Sequence, residues 1–372
     1  MTIHSRRNIL CVLRSARIGA AILLAAVMLT LGSCKPPRHI GPPPDIRITS
    51  ASLSATGGTV VFGFDDRRGG ANRKRLGLFD VASRSIRLVD QPENFRWGSP
   101  VFAPAGRKLA FTSYCFYDCT PEEFGYHVGM LDLDTGAWQI VTADGRNNMR
   151  LSPNFSQDGK SILFVSAKAE WNKEGGSRPK GFFGVSSLSL ETRQERQLLP
   201  NAAETTTFQS VGRPTLMAGG DVLFTCMAPF KGAFEEMAGR MNLRNTHNFA
   251  CRLRPDGSLG IVPGLERQYA NSLSASADGK RIAFIARSSP GKQGRGFGSD
   301  LFVHEAGVIR ETTQLGTHAY LTDISDDGAV ALFLADDTRK KNWSIWLHRV
   351  GAGETREILT PDALHLFLGA TD

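Results

Sequence analysis

Apolar residues along this chain fall into two regimes. Ile18 to Leu31 is one uncharged apolar run, and it follows residues 1–17, whose charged side chains are all arginines: Arg6, Arg7, Arg14 and Arg17. The run is shorter than the ~20 residues that a membrane-spanning helix needs. A basic stretch followed by a short apolar one predicts a secretory signal, not an element of the fold. Beyond residue 46 the pattern changes to short alternating runs separated by Gly, Asp-Gly and Pro turns, which predicts antiparallel β-strands.

One phrase recurs six times in this second regime. A glycine stands five residues before a phenylalanine in Gly57/Phe62, Gly106/Phe111, Gly159/Phe164, Gly219/Phe224, Gly279/Phe284 and Gly328/Phe333. Successive phenylalanines are 49, 53, 60, 60 and 49 residues apart. Such a period suits four-stranded units with loops of variable length. Each unit parses as an inner strand (SPVFAP, SPNFSQ, LTDISD), a tight turn, the Phe-bearing strand, a long loop, a third strand and a fourth after a short turn. One such meander leaves an apolar face bare, and radial stacking covers it. The expected fold is therefore all-β, a six-bladed β-propeller of four-stranded antiparallel blades, with each repeated Phe as a core anchor.

The phrases SQDGKSILF, SADGKRIAF and SDDGAVALF resemble the repeat of the TolB-like propeller family, in which Ser-Pro-Asp-Gly precedes a lysine-rich, Phe-ending strand. ATGGTVVF, APAGRKLAF and MAGGDVLF lack the aspartate. The resemblance implies the fold; it does not imply a role in the Tol system, since residues 35–46 leave no room for the N-terminal α/β domain that TolB carries. The last predicted strand is followed by about ten residues, against the domain that a propeller-bearing serine peptidase would add.

The apolar run ends in Leu31-Gly32-Ser33-Cys34, which resembles a bacterial lipobox and implies lipidation at Cys34. Lys35 in the next position implies sorting to the outer membrane, facing the periplasm. Residues 35–46 hold five prolines and predict a semi-rigid tether of polyproline type. The organisation expected is thus 1–33 signal, 34–46 lipidated Cys and tether, 47–362 propeller and 363–372 C-terminal tail. Export also suits the remaining cysteines, Cys115, Cys119, Cys226 and Cys251, an even number for which local pairing, 115 with 119 and 226 with 251, is favoured over a zinc site.

Net charge of +8 invites a nucleic-acid reading, but the four signal arginines account for half of it. The long loops between second and third strands carry +7, more than the +4 left without those arginines, so the remainder is slightly negative. Residues 65–75 alone hold five cations against two aspartates, and the loops add Phe116, Tyr117, Phe124, Trp171, Phe230, Phe234 and Phe297. Cations interleaved with exposed aromatics suit a protein-recognition surface. Arg67, Arg68, Arg73, Lys74, Arg75, Trp171 and Phe297 are the candidate contacts for an acidic envelope protein or complex, with no nucleic acid involved.

No G-x-S-x-G elbow, H-E-x-x-H helix or Walker A loop occurs. Scattered His127, His247, His318, Asp65, Asp66, Asp336 and Asp337 read as turn and surface groups in preference to a metal site, and no cofactor or catalytic residue is expected. The expected function is a non-enzymatic, lipid-anchored envelope module binding through its long-loop face. The alternative is a carbohydrate-binding or glycan-cleaving protein that uses an axial funnel.

Overall fold

The computed structural model describes residues 45–70, 73–142, 144–171, 177–200, 210–217, 219–229, 246–266, 268–287, 298–315, 318–336 and 343–371. Cys34, tether residues 35–44 and Phe297 lie outside the described residues, whereas Ile46, expected as the end of the tether, already belongs to the first strand. The described chain is almost entirely antiparallel β-structure in four sheets. The first has the order β1 (Ile46–Leu53), β2 (Thr59–Asp66), β3 (Arg73–Asp80), β4 (Ile86–Leu88). The second joins two meanders: β5 (Phe95–Phe102), β6 (Lys108–Cys115), β7 (Gly125–Asp132) and β8 (Trp138–Ile140), then β9 (Asn148–Phe155), β10 (Ser161–Trp171), β11 (Ser177–Ser189) and β12 (Glu195–Leu199). A single parallel pairing of Tyr126 with Met149 connects them.

The third sheet contains β13 (Ser210–Val211), β14 (Thr215–Leu216), β15 (Val222–Pro229), β16 (Thr246–Leu253) and β17 (Leu259–Ile261). The fourth again joins two meanders, β18 (Ser272–Ala275), β19 (Arg281–Arg287), β20 (Ser299–Glu305) and β21 (Val308–Glu311), then β22 (His318–Ile324), β23 (Val330–Asp336), β24 (Trp343–Arg349) and β25 (Glu354–Leu359). Their link is one parallel pair, Ser299 with His318.

The repeated phenylalanines explain how the meanders hold together. Phe62, Phe111, Phe164, Phe224, Phe284 and Phe333 are all 0% exposed. Burying each such ring contributes about 1.5–3 kcal/mol. The apolar clusters run in sequence from one meander to the next. Val61 and Leu76 pack with Trp97 and Phe111, Ala110 and Val128 with Ile162 and Phe164, and Val165 and Val185 with Phe224 and Phe249. Leu223 and Ala250 pack with Leu273 and Phe284, and Ile285 and Leu301 with Ala331 and Phe333. The sixth cluster joins Leu332, Leu334 and Ile345 of the last meander to Ile46, Ile48, Phe62 and Phe64 of the first. In the first two meanders a glycine of the third strand makes room for the ring: a Cβ on Gly77 would stand 2.3 Å from Phe62, and one on Gly129 would stand 2.3 Å from Phe111.

The turn glycines also act locally. Gly57, Gly106, Gly159, Gly279 and Gly328 have φ between 68° and 73°, and each donates its N–H to the carbonyl three residues earlier. Such φ values favour a residue without Cβ. In the fourth copy the bond comes from Gly220 N to Met217 O, not from Gly219. The hairpin is one residue shorter there, so the even spacing of the sequence conceals a changed turn. Where the phrase is Ser-x-Asp-Gly, the carboxylate staples the turn: Asp158, Asp278 and Asp327 accept from the Ser156, Ser276 and Ser325 hydroxyls and from the backbone N–H of Lys160, Lys280 and Ala329. The hydrogen bond from Ser276 is the main reason that Asp278 is pulled down to about 2.

The segment expected as a C-terminal tail belongs to an α-helix, α1 (Pro361–Thr371). Thr360 Oγ1 caps it by accepting from Ala363 N, and Leu364 and Leu368 are buried in the cluster shared by the first and last meanders. Among the described residues no helix is long and apolar enough to cross a membrane.

Candidate functional site

The long loops leave the sheets at the end where β2 finishes in Asp65-Asp66, and the tight β1–β2 turn lies at the other end, since Ile46 pairs with Asp66 and Leu53 with Val60. At the loop end the five expected cations surround two buried carboxylates. Lys74 Nζ lies 3.0 Å and Arg67 Nη2 3.7 Å from Asp65. Arg68 binds Asp66 through Nε and Nη2, both at 3.0 Å, and Arg75 Nη1 is 3.6 Å from it. Burial by itself would raise the Asp66 carboxyl, but the hydrogen bonds and charge of Arg68, with the charge of Arg75, outweigh it and hold the group below the usual carboxylate range. Arg73 is exposed. The cluster is therefore a ledge built on two fixed anions, with a surplus of three positive charges.

Beside it stands an aromatic group that the second and third meanders share. Trp171 at the end of β10 lies 5.2 Å from Phe124 and 6.1 Å from Phe116 between ring centroids. Phe116 is 5.4 Å from Tyr126, which is 5.0 Å from Tyr114. The indole N–H of Trp171 donates to Arg146 O at 2.7 Å, and the Arg146 guanidinium sits 5.7 Å above the same ring. Cys115 and Cys119 are disulfide-bonded, which closes a five-residue loop carrying Tyr117, 75% exposed. Cys226 and Cys251 are bonded across β15 and β16. Burial pushes the Tyr114 hydroxyl up, and the charges of Tyr126 and Asp65 add to it.

Trp171 and the five cations thus come from neighbouring sheets at one end of the strands. Sequence reading missed Arg146 and Tyr126. Arg146 stands in the connection from β8 to β9, outside the long loops, and Tyr126 is the second residue of β7; only the packing of one meander against the next shows them turning toward Trp171.

At the opposite end the inner strands converge. A cavity of about 80 Å³ is lined by Ser52 and Ala55, Phe102 and Pro104, Asn154 and Gln157, Thr215 and Leu216, Ser274 and Ala277, and Asp323 and Asp326, drawn from all six repeats. Asp323 is its floor. Its Oδ2 accepts from Ser52 Oγ at 2.6 Å and Leu53 N at 3.0 Å, and its Oδ1 from Ser274 Oγ at 2.8 Å and Ile324 N at 3.1 Å. Arg213, whose side chain is 16% exposed, approaches Asp323 Oδ2 to 3.7 Å. Burial lowers the Arg213 pKa and the Asp323 charge opposes that. Neither residue stood out in the sequence, although Arg213 occupies the inner-strand position that is serine at Ser50, Ser99, Ser152 and Ser272, and stands two residues before Thr215 as Ser50, Ser152 and Ser272 stand two before the lining residues Ser52, Asn154 and Ser274. Aligning the copies on Gly220 in place of Gly219 would have exposed it.

Among the described residues the scattered His and Asp groups do not converge on one site, although His318 and Asp336 are register partners on β22 and β23. His127 is fully buried, with Nδ1 2.8 Å from Thr142 O and Nε2 3.3 Å from Phe124 O. Asp65 and Asp66 belong to the cationic ledge, His318 is exposed at the start of β22, and Asp336 is buried at the end of β23. The His247 side chain and Asp337 lie outside the described residues. Among the described residues no three His, Cys, Asp or Glu side chains gather as a metal site.

No family model matches the chain, and no curated protein does. Solved structures do. TolB from Acinetobacter baumannii superposes with a TM-score of 0.55 at 17% identity, over 82% of this chain and 64% of that one. The fold is that of a TolB-like β-propeller. An oligogalacturonate lyase from Vibrio parahaemolyticus superposes at 0.50 with 11% identity, over 86% of this chain and 80% of the lyase. A prolyl endopeptidase gives 0.50 at 13%, over 84% of this chain and 49% of the peptidase. This chain therefore spans less than two thirds of the TolB structure and about half of the peptidase. These likenesses concern the propeller fold alone, which hosts unrelated activities.

Proposed function

We propose that this chain is a non-enzymatic binding module of a bacterial cell envelope, anchored through a lipid on Cys34 at the outer membrane and facing the periplasm. In this reading the six repeats form six four-stranded blades of a closed ring, supported by the succession of six apolar clusters whose last joins the final meander to the first. The long-loop face binds an acidic envelope protein.

One observation carries the reading: the rings of Phe116, Phe124, Tyr126 and Trp171 stand together under Arg146, beside a disulfide-closed loop that presents Tyr117. Aromatics and arginine are the side chains that dominate protein interfaces. A cross-linked loop loses little freedom on binding, which favours affinity. The surplus of cations at Arg67, Arg73 and Lys74 selects an acidic partner and steers its approach. The two axial carboxylates support a binding role over glycan cleavage. A glycosidase uses two available carboxyl groups about 5–9.5 Å apart across the scissile bond, whereas both oxygens of Asp323 are already engaged by four donors, which leaves Asp326 alone.

The test is co-purification from envelope fractions. Trp171→Ala and Tyr117→Ala should each weaken partner capture, by about tenfold or more for the tryptophan, without altering thermal stability of the ring. Cys34→Ala should abolish lipid labelling and release the chain from the membrane fraction. Capture that survives both aromatic substitutions and the Arg67/Arg73/Lys74 triple alanine would overturn the loop-face reading.

A further inference from the structure

The geometry points to a second binding site, for an aliphatic primary ammonium, in the axial cavity at the tight-turn end of the strands. It lies at the far end from the long-loop face and stands independently of the function proposed for that face.

The hydrogen-bonding groups that the cavity has left to offer select its ligand. Most of its side-chain donors are already engaged. Ser52 and Ser274 donate to Asp323, and Ser156 donates to Asp158. Asn154 Nδ2 donates to both Pro214 O and Thr215 Oγ1, at 3.1 and 3.2 Å. Gln157 Nε2 donates to Ala277 O. The backbone N–H groups of Leu53, Ala277 and Asp326 are likewise paired, with Asp323 Oδ2, Asp326 O and Ala55 O. Beside the Thr215 hydroxyl and the second N–H of Gln157, what remains are acceptors: Asn154 Oδ1, Gln157 Oε1 and the Asp326 carboxylate at the rim. The balance favours a ligand that brings donors, and an ammonium brings three and no acceptor.

Charge agrees with the hydrogen-bond inventory. Two carboxylates and, among the described residues, no lysine, arginine or histidine line the cavity. Arg213 lies one layer toward the long-loop end, where Nη2 reaches the Pro100 carbonyl at 3.5 Å, so its charge is directed at the underside of Asp323. Asp326 has its pKa raised by burial and by the charges of Asp323 and Asp327, so a cation placed beside it relieves a like-charge arrangement. The walls at Ala55, Pro104, Phe102, Phe155 and Leu216 supply apolar surface for a methylene chain. A bare Ca²⁺ or Mg²⁺ ion fits less well. It needs six or more oxygen ligands, and Asp323 has none to spare.

The ammonium could belong to a free diamine or to a lysine of a bound peptide, and titration calorimetry on the detergent-solubilised full chain separates them. The probes are 1,5-diaminopentane, its neutral counterpart 1,5-pentanediol, and N-acetyl-lysine methylamide. Saturable binding of an amine is expected, with none for the diol. Asp326→Asn and Gln157→Leu should each weaken amine binding about fivefold or more, while Trp171→Ala leaves it unchanged. Tighter binding of the lysine derivative assigns the site to a partner's side chain, and tighter binding of the diamine to a free polyamine. Absence of saturable binding by both amines, equal binding of the diol, or amine binding insensitive to both substitutions in variants that keep the parental unfolding temperature would overturn the proposal.

Discussion

Replacing Asp323 by asparagine removes one charge from the axis while keeping the side chain's shape. In the parent, Asp323 ties Ser52 of β1 to Ser274 of β18 and is the anion nearest the largely buried Arg213. At 3.7 Å and an effective dielectric of about 20, the Asp323–Arg213 attraction is about 4 kcal/mol. Losing it leaves the guanidinium without its counter-ion, and Nη1 already has no hydrogen-bond partner among the described residues. The new amide would also direct two N–H donors toward a pair of existing donors. Breaking one side of a buried pair typically costs about 3–5 kcal/mol, and that is the loss expected here. Urea unfolding followed by tryptophan fluorescence measures it. Arg213→Met removes the stranded cation, so the double variant should lose clearly less than the sum of the two single ones. A loss below about 1 kcal/mol for Asp323→Asn, or strict additivity with Arg213→Met, would refute the idea that this pair holds the axis.

Two other expectations follow from the packing. Gly77→Ala should destabilise by about 1–3 kcal/mol, because its Cβ would stand 2.3 Å from the Phe62 ring; Gly58→Ala, whose nearest neighbour would be 3.5 Å away, should stay within about 0.5 kcal/mol by the same denaturation assay. Burial holds His127, His304 and His348 below the ordinary histidine range. The unfolded chain then takes up protons near pH 6.5 that the folded chain refuses, so stability is full above that pH and is lost as pH falls toward the folded pKa values. The unfolding temperature should drop between pH 7.5 and 5.5, and His348→Asn should flatten the drop; a flat profile in the parent would contradict the buried neutral state. Asp66 and Asp144, both lowered in the folded chain, add a further loss as pH falls below about 4.

What the sequence revealed and what it hid divide along contact range. The glycine and phenylalanine phrase was legible because turn, strand and core anchor lie within six residues of one another. The Cys115–Cys119 loop is equally local. Helix α1 also left a local mark, Thr360-Pro361 ahead of Leu364 and Leu368, which a reading centred on strands passed over. Charge counting found the cations of residues 65–75 but could not show that Asp65 and Asp66 are buried beneath them and hold four of the five in ion pairs. The axis was invisible for the same reason. Asp323 meets Ser52 across 271 residues, and Arg213 meets Pro100 across 113. Such contacts exist only once the inner strands are brought together, and the shifted turn at Gly220 put Arg213 out of step with its equivalents.

In the proposed function the long-loop face, and not the turn end, docks an envelope protein. A photo-crosslinking residue placed at Tyr117 tests this docking in intact cells, with Lys280 at the turn end as the comparison position. A discrete adduct is expected from position 117 that disappears in the Trp171→Ala background, and none of that mass from position 280. An adduct from position 280 alone, or one at 117 indifferent to Trp171, would contradict it.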